Sequence, residues 1–324
     1  MVMVVQVTQN GGPEVLNIVE QATAEPGPGQ VWIEQKAIGV NPLDLLQRKG
    51  VVPLPLPSPL GLEGAGEVRA VGPDVTGVRV GDRVAYATGP IGAYASGRIY
   101  PADRLVKLPD ALGFDEAAVL LFKGITAQYL LKTTYPVGRG SRVLIYGASG
   151  GVGQLMAAWA KHLGAQVLGV VKRPGSVQRA LDAGCDQAFD FDAATLPEQV
   201  AKATDGHKVD VVYDGVGKIS FDASLDCLRP RGVMVSYGAT SGAPDPVSVA
   251  TLNAKGSLYL TRPSLAAHTA TAEEYQQRAA DVIAAWSAGL IKPQVAHRFA
   301  LADVAQAHAL MESGRNDGAM VLVP

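Results

Sequence analysis

Only two cysteines, Cys185 and Cys227, occur among 324 residues. That is too few for a disulfide scaffold, and neither has a cysteine partner at metal-ligand spacing. Both read as small core residues, and a reducing, cytoplasmic setting is the expectation. Charge is also sparse: Asp, Glu, Lys and Arg make up 18% of the chain and the net charge is −2. There is no basic run or Lys/Arg stripe to hold a phosphate backbone, which argues against nucleic acid as a partner. No apolar stretch approaches the roughly 18 residues that span a bilayer, which argues against a membrane partner. The opening Met1-Val2-Met3-Val4-Val5 lacks a positive lead and runs into Gln6, so it reads as a first strand and not a targeting signal.

Abundant instead are glycine (37 residues), proline (21) and a 48% hydrophobic share, as expected for many short elements joined by tight turns. The length suits two domains. Residues 1–123 show short β-rich runs, at 30–37, 65–71 and 83–87, with little helical periodicity until about Asp115. An irregular, barrel-like β domain follows. From Ser141 strand and helix alternate: strands at 142–146, 166–171, 209–213, 233–237 and 257–260, with helices after Gly153 and over 176–183. Leu155, Trp159 and Leu163 share one helix face, which suits packing on a parallel sheet. The expected fold class is therefore α/β, with a doubly wound domain at 124–264. Two amphipathic helices follow, one carrying Tyr275, Ala279, Ile283, Trp286 and Leu290, the other over 301–313. The last strand, Ala319–Val323, has no α/β neighbour in sequence. It is expected to rejoin the first domain, making that domain discontinuous (1–123 and 265–324).

The strongest single feature is the strand Arg142-Val-Leu-Ile-Tyr146 followed by Gly147-Ala148-Ser149-Gly150-Gly151-Val152-Gly153 and a helix. Glycines let the backbone approach a pyrophosphate, and the helix N-terminus offers free N–H groups and partial positive charge. Ala148 takes the first position of Gly-x-Gly-x-x-Gly, while Gly150 and Gly153 stay in register. An NAD site has an acid about 20 residues on to accept from the ribose hydroxyls. Here the next strand ends in Lys172-Arg173-Pro-Gly-Ser176, with no acid. Two cations beside a 2′-phosphate give charge-assisted hydrogen bonds, so NADPH is the expected cofactor.

Further motifs extend over the whole chain. Gly61-Leu-Glu63-Gly-Ala-Gly66-Glu-Val68, then Val71-Gly72 and Gly81-Asp82-Arg83-Val84, resemble the signature of medium-chain dehydrogenases/reductases. Gly11-Gly12-Pro13-Glu14-Val15-Leu16, Ala37-Ile-Gly-Val-Asn41-Pro-Leu-Asp44, Lys123-Gly124-Ile-Thr126 and Leu260-Thr-Arg-Pro-Ser264 are similar, more narrowly, to the quinone oxidoreductase and zeta-crystallin group. The resemblance implies a GroES-like catalytic domain and a Rossmann domain with the active site in the cleft between them. It implies that Asn41 and Asp44 line that cleft, with Thr126 as a further catalytic residue, and that Thr126 and Tyr129 sit near the nicotinamide. Ser149, Gly150, Gly151, Val152 and Gly153 would serve the pyrophosphate. Tyr237, Gly238, Ser241, Gly242 and Ser264 would border the nicotinamide half, and Gly215 counts among the cofactor residues. A homodimer through the edge of the Rossmann sheet, at 252–260, is also implied.

The departures matter too. Relatives carry Lys where this chain has Ser176 and Tyr where it has Phe191, both near the adenosine phosphate, and Lys172 and Arg173 stand ready to replace the lost charge. Two tyrosines flanking the substrate pocket are here Leu46 and Val52, which makes the pocket more apolar. A cofactor arginine falls one position later, at Arg315. Zinc-dependent relatives use a Cys in the segment matching 39–44 and a His just before the signature Glu. Here those read Gly-Val-Asn41-Pro-Leu-Asp44 and Leu62-Glu63, and the five histidines form no ligand-spaced pair, so no zinc is expected.

Without a Lewis acid, oxidising an alcohol is hard, whereas a quinone accepts hydride readily because its product is aromatic. Direct hydride transfer to a quinone, with the protein supplying position and water the proton, is the leading expectation. Asn41 would hydrogen-bond the acceptor carbonyl; the alternative is that it only satisfies the turn before Pro42. The same fold also serves reduction of an α,β-unsaturated carbonyl. A third reading is a protein that binds NADPH in a redox-sensing or structural role with little turnover.

Overall fold

The computed structural model describes residues 1–316 and 318–324. Two compact units divide them, one formed by Met1–Lys123, Thr271–Val282 and Pro293–Pro324, the other by Gly124–Ala270 and Ile283–Lys292.

In the first unit β1 (Val2–Val7) pairs antiparallel with β2 (Leu16–Gln21). The long β3 (Gln30–Val40) buries Val31, Ile33, Gln35 and Ala37 in strict alternation, the two-residue period of a strand with one face inward. It runs straight into α1 (Pro42–Arg48). Asn41 precedes a proline and is therefore pushed into extended geometry (φ −127°, ψ 151°), while Pro42 supplies a preset φ for the first helical position. This seven-residue helix corrects the expectation of little helix before Asp115. Its register is set by the proline and by buried partners, which periodicity over about two turns does not reveal. Then come β4 (Ser58–Pro59), which pairs with β1, β5 (Glu63–Val71), β6 (Arg83–Ala87), β7 (Gly97–Pro101) and β8 (Val106–Lys107). The core between the strands holds Val5, Ile33, Ile38, Val68, Val84, Tyr86, Tyr94 and Tyr100. Each fully buried aliphatic side chain there contributes about 1.5–3 kcal/mol relative to exposure. The unit boundary falls inside α2 (Phe114–Tyr129).

The second unit alternates β9 (Arg142–Tyr146), α3 (Gly151–His162), β10 (Gln166–Val171), α4 (Val177–Asp182), β11 (Gln187–Asp190), α5 (Leu196–Ala203), β12 (Val209–Asp214), α6 (Phe221–Asp226), β13 (Leu228–Ser236), α7 (Val249–Ala254) and β14 (Tyr259–Thr261). Every pairing is parallel and the order is β11-β10-β9-β12-β13-β14. This is the doubly wound order, with a topological switch beside β9.

The tail differs from expectation in detail. α8 (Ala272–Ser287) stops before Leu290, because Gly289 takes a left-handed φ of 70° and Leu290 N–H turns back onto the Ala285 carbonyl. The return to the first unit comes at Thr271, not at 265, and α8 is shared between the units. β15 (Val295–Ala300) is a strand that the sequence reading lacks, and the last helix, α9, covers only Val304–Glu312. β16 (Ala319–Val323) lies between β15 and β3, completing the path β15-β16-β3-β5-β6-β8, with β7 also on β3.

Candidate active site

Because the six strands of the second unit run the same way, their carboxyl ends share one edge, and each end carries residues marked from the sequence. From β11 to β14 these are Phe191, then Lys172 and Arg173, then the loop 147–153, then Gly215, then Tyr237 and Gly238, then Ser264. The glycine loop thus stands at the switch point, where open parallel sheets bind their ligands. Gly147 has φ 64°, and Gly150 caps α3. The first-turn amides of Gly151, Val152 and Gly153 have no intrahelical acceptor and sit at the positive end of the helix. A Cβ on Gly153 would lie 2.1 Å from the Gly147 carbonyl oxygen, so only glycine lets the helix start this close to the strand. Gln154 Nε2 donates to the Ser149 carbonyl (2.7 Å) and holds the loop shut. These features fit a pyrophosphate.

Past β10, Lys172 is exposed and Arg173 half-buried. Ser176 is buried, its N–H donating to the Arg173 carbonyl at 2.9 Å. Phe191 sets its ring edge against Tyr146, with centroids 5.9 Å apart. The end of β10 therefore presents two cations and no carboxylate where a ribose-binding acid would stand.

The loops after β12 and β13 are stitched together. Asp214, fully buried, accepts the N–H groups of Val216 (2.7 Å) and Gly217 (3.1 Å) on one oxygen, and the hydroxyls of Ser220 (2.7 Å) and Ser224 (2.8 Å) on the other. Ser241 donates to the Val216 carbonyl and accepts Ile219 N–H, so its hydroxyl serves the loop. Gly242 has φ 107° and accepts Lys218 N–H. Arg262 donates to the carbonyls of Ser236 (2.8 Å) and Gly238 (2.7 Å), which fixes the backbone on either side of Tyr237. Ser264 is exposed and caps a short turn through Ala267 N–H. Thr126 and Tyr129 are buried on α2, and Tyr129 stacks on His268 at 4.3 Å.

The first unit holds the other group. Asn41 and Asp44 come together at the start of α1. Asp44 Oδ2 accepts the Asn41 backbone N–H (2.8 Å) and the Tyr94 hydroxyl (2.9 Å), and Oδ1 is buried with no partner among the described residues. The Asn41 side chain turns the other way. Its amide donates to Glu63 Oε1 (2.9 Å), its carbonyl accepts from Lys123 Nζ (2.8 Å), and Lys123 also donates to Glu63 Oε1 (2.7 Å). Behind Tyr94, Arg48 NH1 lies 3.2 Å from His308 Nδ1, and Tyr94 OH 3.0 Å from His308 Nε2. Arginine has only donors, so Nδ1 is the acceptor and the proton rests on Nε2. The donors then all point one way, from Arg48 through His308 and Tyr94 to Asp44. Burial pushes the Asp44 carboxyl up to about 7 despite its two donors. Burial, with the Arg48 charge second, holds His308 down to about 3. Leu46 and Val52 are half-buried neighbours, since the Leu46 carbonyl accepts Val52 N–H at 3.1 Å. Arg315 lies on an exposed turn of this unit, bonded to Ser313.

Sequence reasoning assigns no role to Glu63, Lys123, Tyr94, His308, Asp214 or Arg262. Glu63, Lys123 and Arg262 stand inside motifs, and a charge closing an apolar run was the available signal for Asp214.

Residues 27–110 match the alcohol dehydrogenase GroES-like domain and residues 151–285 the zinc-binding dehydrogenase domain. A quinone oxidoreductase of Pseudomonas aeruginosa is 44% identical over 321 residues, 99% of both chains. The chain belongs to the quinone oxidoreductase family of medium-chain dehydrogenases/reductases. Within that family, the structure of the Escherichia coli quinone oxidoreductase complexed with NADPH superposes with a TM-score of 0.95 at 41% identity, over 99% of this chain and 100% of that one. A 2-haloacrylate reductase of Burkholderia is 41% identical over 332 residues, covering 100% of this chain and 99% of its own. The GroES-like and Rossmann architecture expected from the sequence is the architecture found.

Proposed function

We propose that the protein reduces quinones with NADPH by direct hydride transfer, without zinc. The observation that carries the cofactor choice is the end of β10, where Lys172 and Arg173 follow the strand and no carboxylate does. A 2′-phosphate gains charge-assisted hydrogen bonds there, whereas NADH offers those cations only a neutral hydroxyl. The amides of Gly151, Val152 and Gly153 would hold the pyrophosphate, and the stitched loops after β12 and β13 would border the nicotinamide. When bound, the cofactor supplies the hydride. Asn41 would donate its second amide hydrogen to a carbonyl oxygen of the acceptor, stabilising negative charge as it develops there, and solvent would supply the proton. The half-buried Leu46 and Val52 would give the acceptor apolar walls.

The donor set at the start of α1 does not fit a zinc ion. Both ends of the Asn41 carboxamide face Lys123 and Glu63, and an ammonium is no ligand. Among the described residues no three His, Cys, Asp or Glu side chains form a group able to hold a metal.

The 2-haloacrylate reductase relative favours a second reading, reduction of an activated alkene. One assay separates the two. Metal-free protein is mixed with NADPH, and reduced-nicotinamide absorbance is followed on adding 1,4-benzoquinone or a simple enone, with NADH as control. Rapid loss with NADPH and quinone is expected. Loss with the enone alone moves the function to alkene reduction, and loss with neither leaves a binding protein.

For assembly, β14 is an edge strand whose Tyr259 is 62% and Leu260 38% exposed. An unpaired edge with apolar side chains is a template for a second copy, which supports the reading of a homodimer through β14.

A further inference from the structure

The Asn41 carboxamide lies between two opposite charges. Its carbonyl faces the Lys123 ammonium at 2.8 Å and its amide faces the Glu63 carboxylate at 2.9 Å. A flipped carboxamide would set N–H against N–H at Lys123 and oxygen against oxygen at Glu63, so only one orientation survives. All three residues are buried, Glu63 fully and Lys123 to 6% exposure. Glu63 is itself held by Phe122 N–H on its second oxygen (3.1 Å). It reaches this place only because residue 39 is glycine: a Cβ there would lie 2.4 Å from Glu63 Oε1 and 2.2 Å from the Ala118 carbonyl oxygen. The arrangement leaves one Asn41 N–H with no acceptor among the described residues, its direction fixed by the other two contacts.

We propose that Lys123 is a positioning residue that acts through Asn41, locking the carboxamide so that its remaining N–H is presented to the acceptor. This rests on the reading that Asn41 holds the acceptor's carbonyl oxygen. Glu63 is the countercharge that lets the ammonium stay buried. Lys123 does its work without touching the acceptor.

A double-mutant cycle tests it. Lys123→Met alone leaves Glu63 buried without a countercharge and is strongly destabilising, so Lys123→Met/Glu63→Gln, which removes both charges, is run beside it, together with Asn41→Ala and the triple variant. Two quantities are read: kcat/KM for 1,4-benzoquinone at saturating NADPH, and the NADPH Kd from nicotinamide fluorescence. Asn41→Ala and Lys123→Met/Glu63→Gln are each expected to lower kcat/KM by about tenfold or more, and the triple variant by no more than Asn41→Ala alone. The NADPH Kd should stay within about twofold, and Lys123→Arg should recover part of the loss, since it keeps a donor cation. If Asn41→Ala is impaired while Lys123→Met/Glu63→Gln matches the parent, the positioning role is wrong and the reading of Asn41 stands. Multiplying losses in the triple variant also overturn the positioning role. If Asn41→Ala is unimpaired, the reading of Asn41 falls and takes this inference with it.

Discussion

At the residue scale, the buried row Asp44, Tyr94, His308 and Arg48 sets a pH signature. Asp44, raised from 3.8 to about 7, binds more protons folded than unfolded, so its contribution to stability is full below pH 3.8 and lost as the pH rises through 7. His308, lowered from 6.5 to about 3, binds fewer, so its contribution is full above pH 6.5 and lost as the pH falls through 3. Between pH 3.8 and 6.5 the two slopes oppose. Asp44→Asn should therefore lose stability relative to the parent on acidification from pH 6.5 to 4.5, by at most about 1.4 kcal/mol per pH unit. His308→Gln should gain relative stability over the same range. Urea midpoints at three pH values measure both, and a difference that does not change with pH refutes the coupling. Lys172→Ala/Arg173→Ala should raise KM for NADPH by about tenfold or more and leave KM for NADH unchanged, which steady-state kinetics reads directly. Little of the first unit's network was legible beforehand. Asn41, Glu63 and Lys123 are far apart in the chain, and no local pattern marks a hydrogen bond made by tertiary contact.

Elements were legible where their own period carried the signal. β9, the glycine loop and α3 announce themselves because strand, turn and helix chemistry follow without a gap. β3 does so through strict alternation, and β16 through an unbroken apolar run. α1 and β15 were missed for opposite reasons. α1 is a proline-initiated helix of about two turns, too short to establish a helical period. β15 alternates, with Val295, His297 and Phe299 half-buried between exposed residues, but only two of those three are apolar. The loop after β12 depends on a single carboxylate. Asp214→Ala removes both acceptor oxygens and leaves the Val216 and Gly217 N–H groups without their acceptor, at a cost of about 1–3 kcal/mol for each group left unsatisfied. The expected result is a lower unfolding temperature together with weaker NADPH binding, since the turn at Val216 and Gly217, next to Gly215, loses its bracing. A thermal scan and a binding titration on the same sample test it. Gly153→Ala is a sharper test of α3. A methyl 2.1 Å from the Gly147 carbonyl oxygen must push the helix start outward, so cofactor affinity should fall by more than tenfold, a loss of over about 1.4 kcal/mol.

At the scale of the whole molecule, Leu260→Lys places a charge on the β14 edge, the usual device against edge pairing. If the parent sediments as the proposed dimer, the variant should sediment as a monomer with unfolding temperature little changed; an unshifted dimer would move the interface elsewhere, and a monomeric parent would refute the dimer. The division into a β-rich and an α/β unit was legible because composition and period change at the same place, whereas the sharing of α8 between units was not, because a helix shows no break where its surroundings change. The position of β16 has a further meaning, for synthesis. This strand is made after the other strands of its sheet yet stands between β15 and β3, and β3 begins at residue 30. While the ribosome is still translating, residues 38–40 of β3 must wait with their edge bare, since β7 covers only 30–34, whereas 124–270, whose sheet draws on no strand outside that stretch, has all its strands as soon as β14 emerges. The nascent chain should therefore mature out of order, second unit first. Its vulnerable interval runs from the making of β3 until β16 emerges, while that short strand edge lies open to a neighbouring polysome chain.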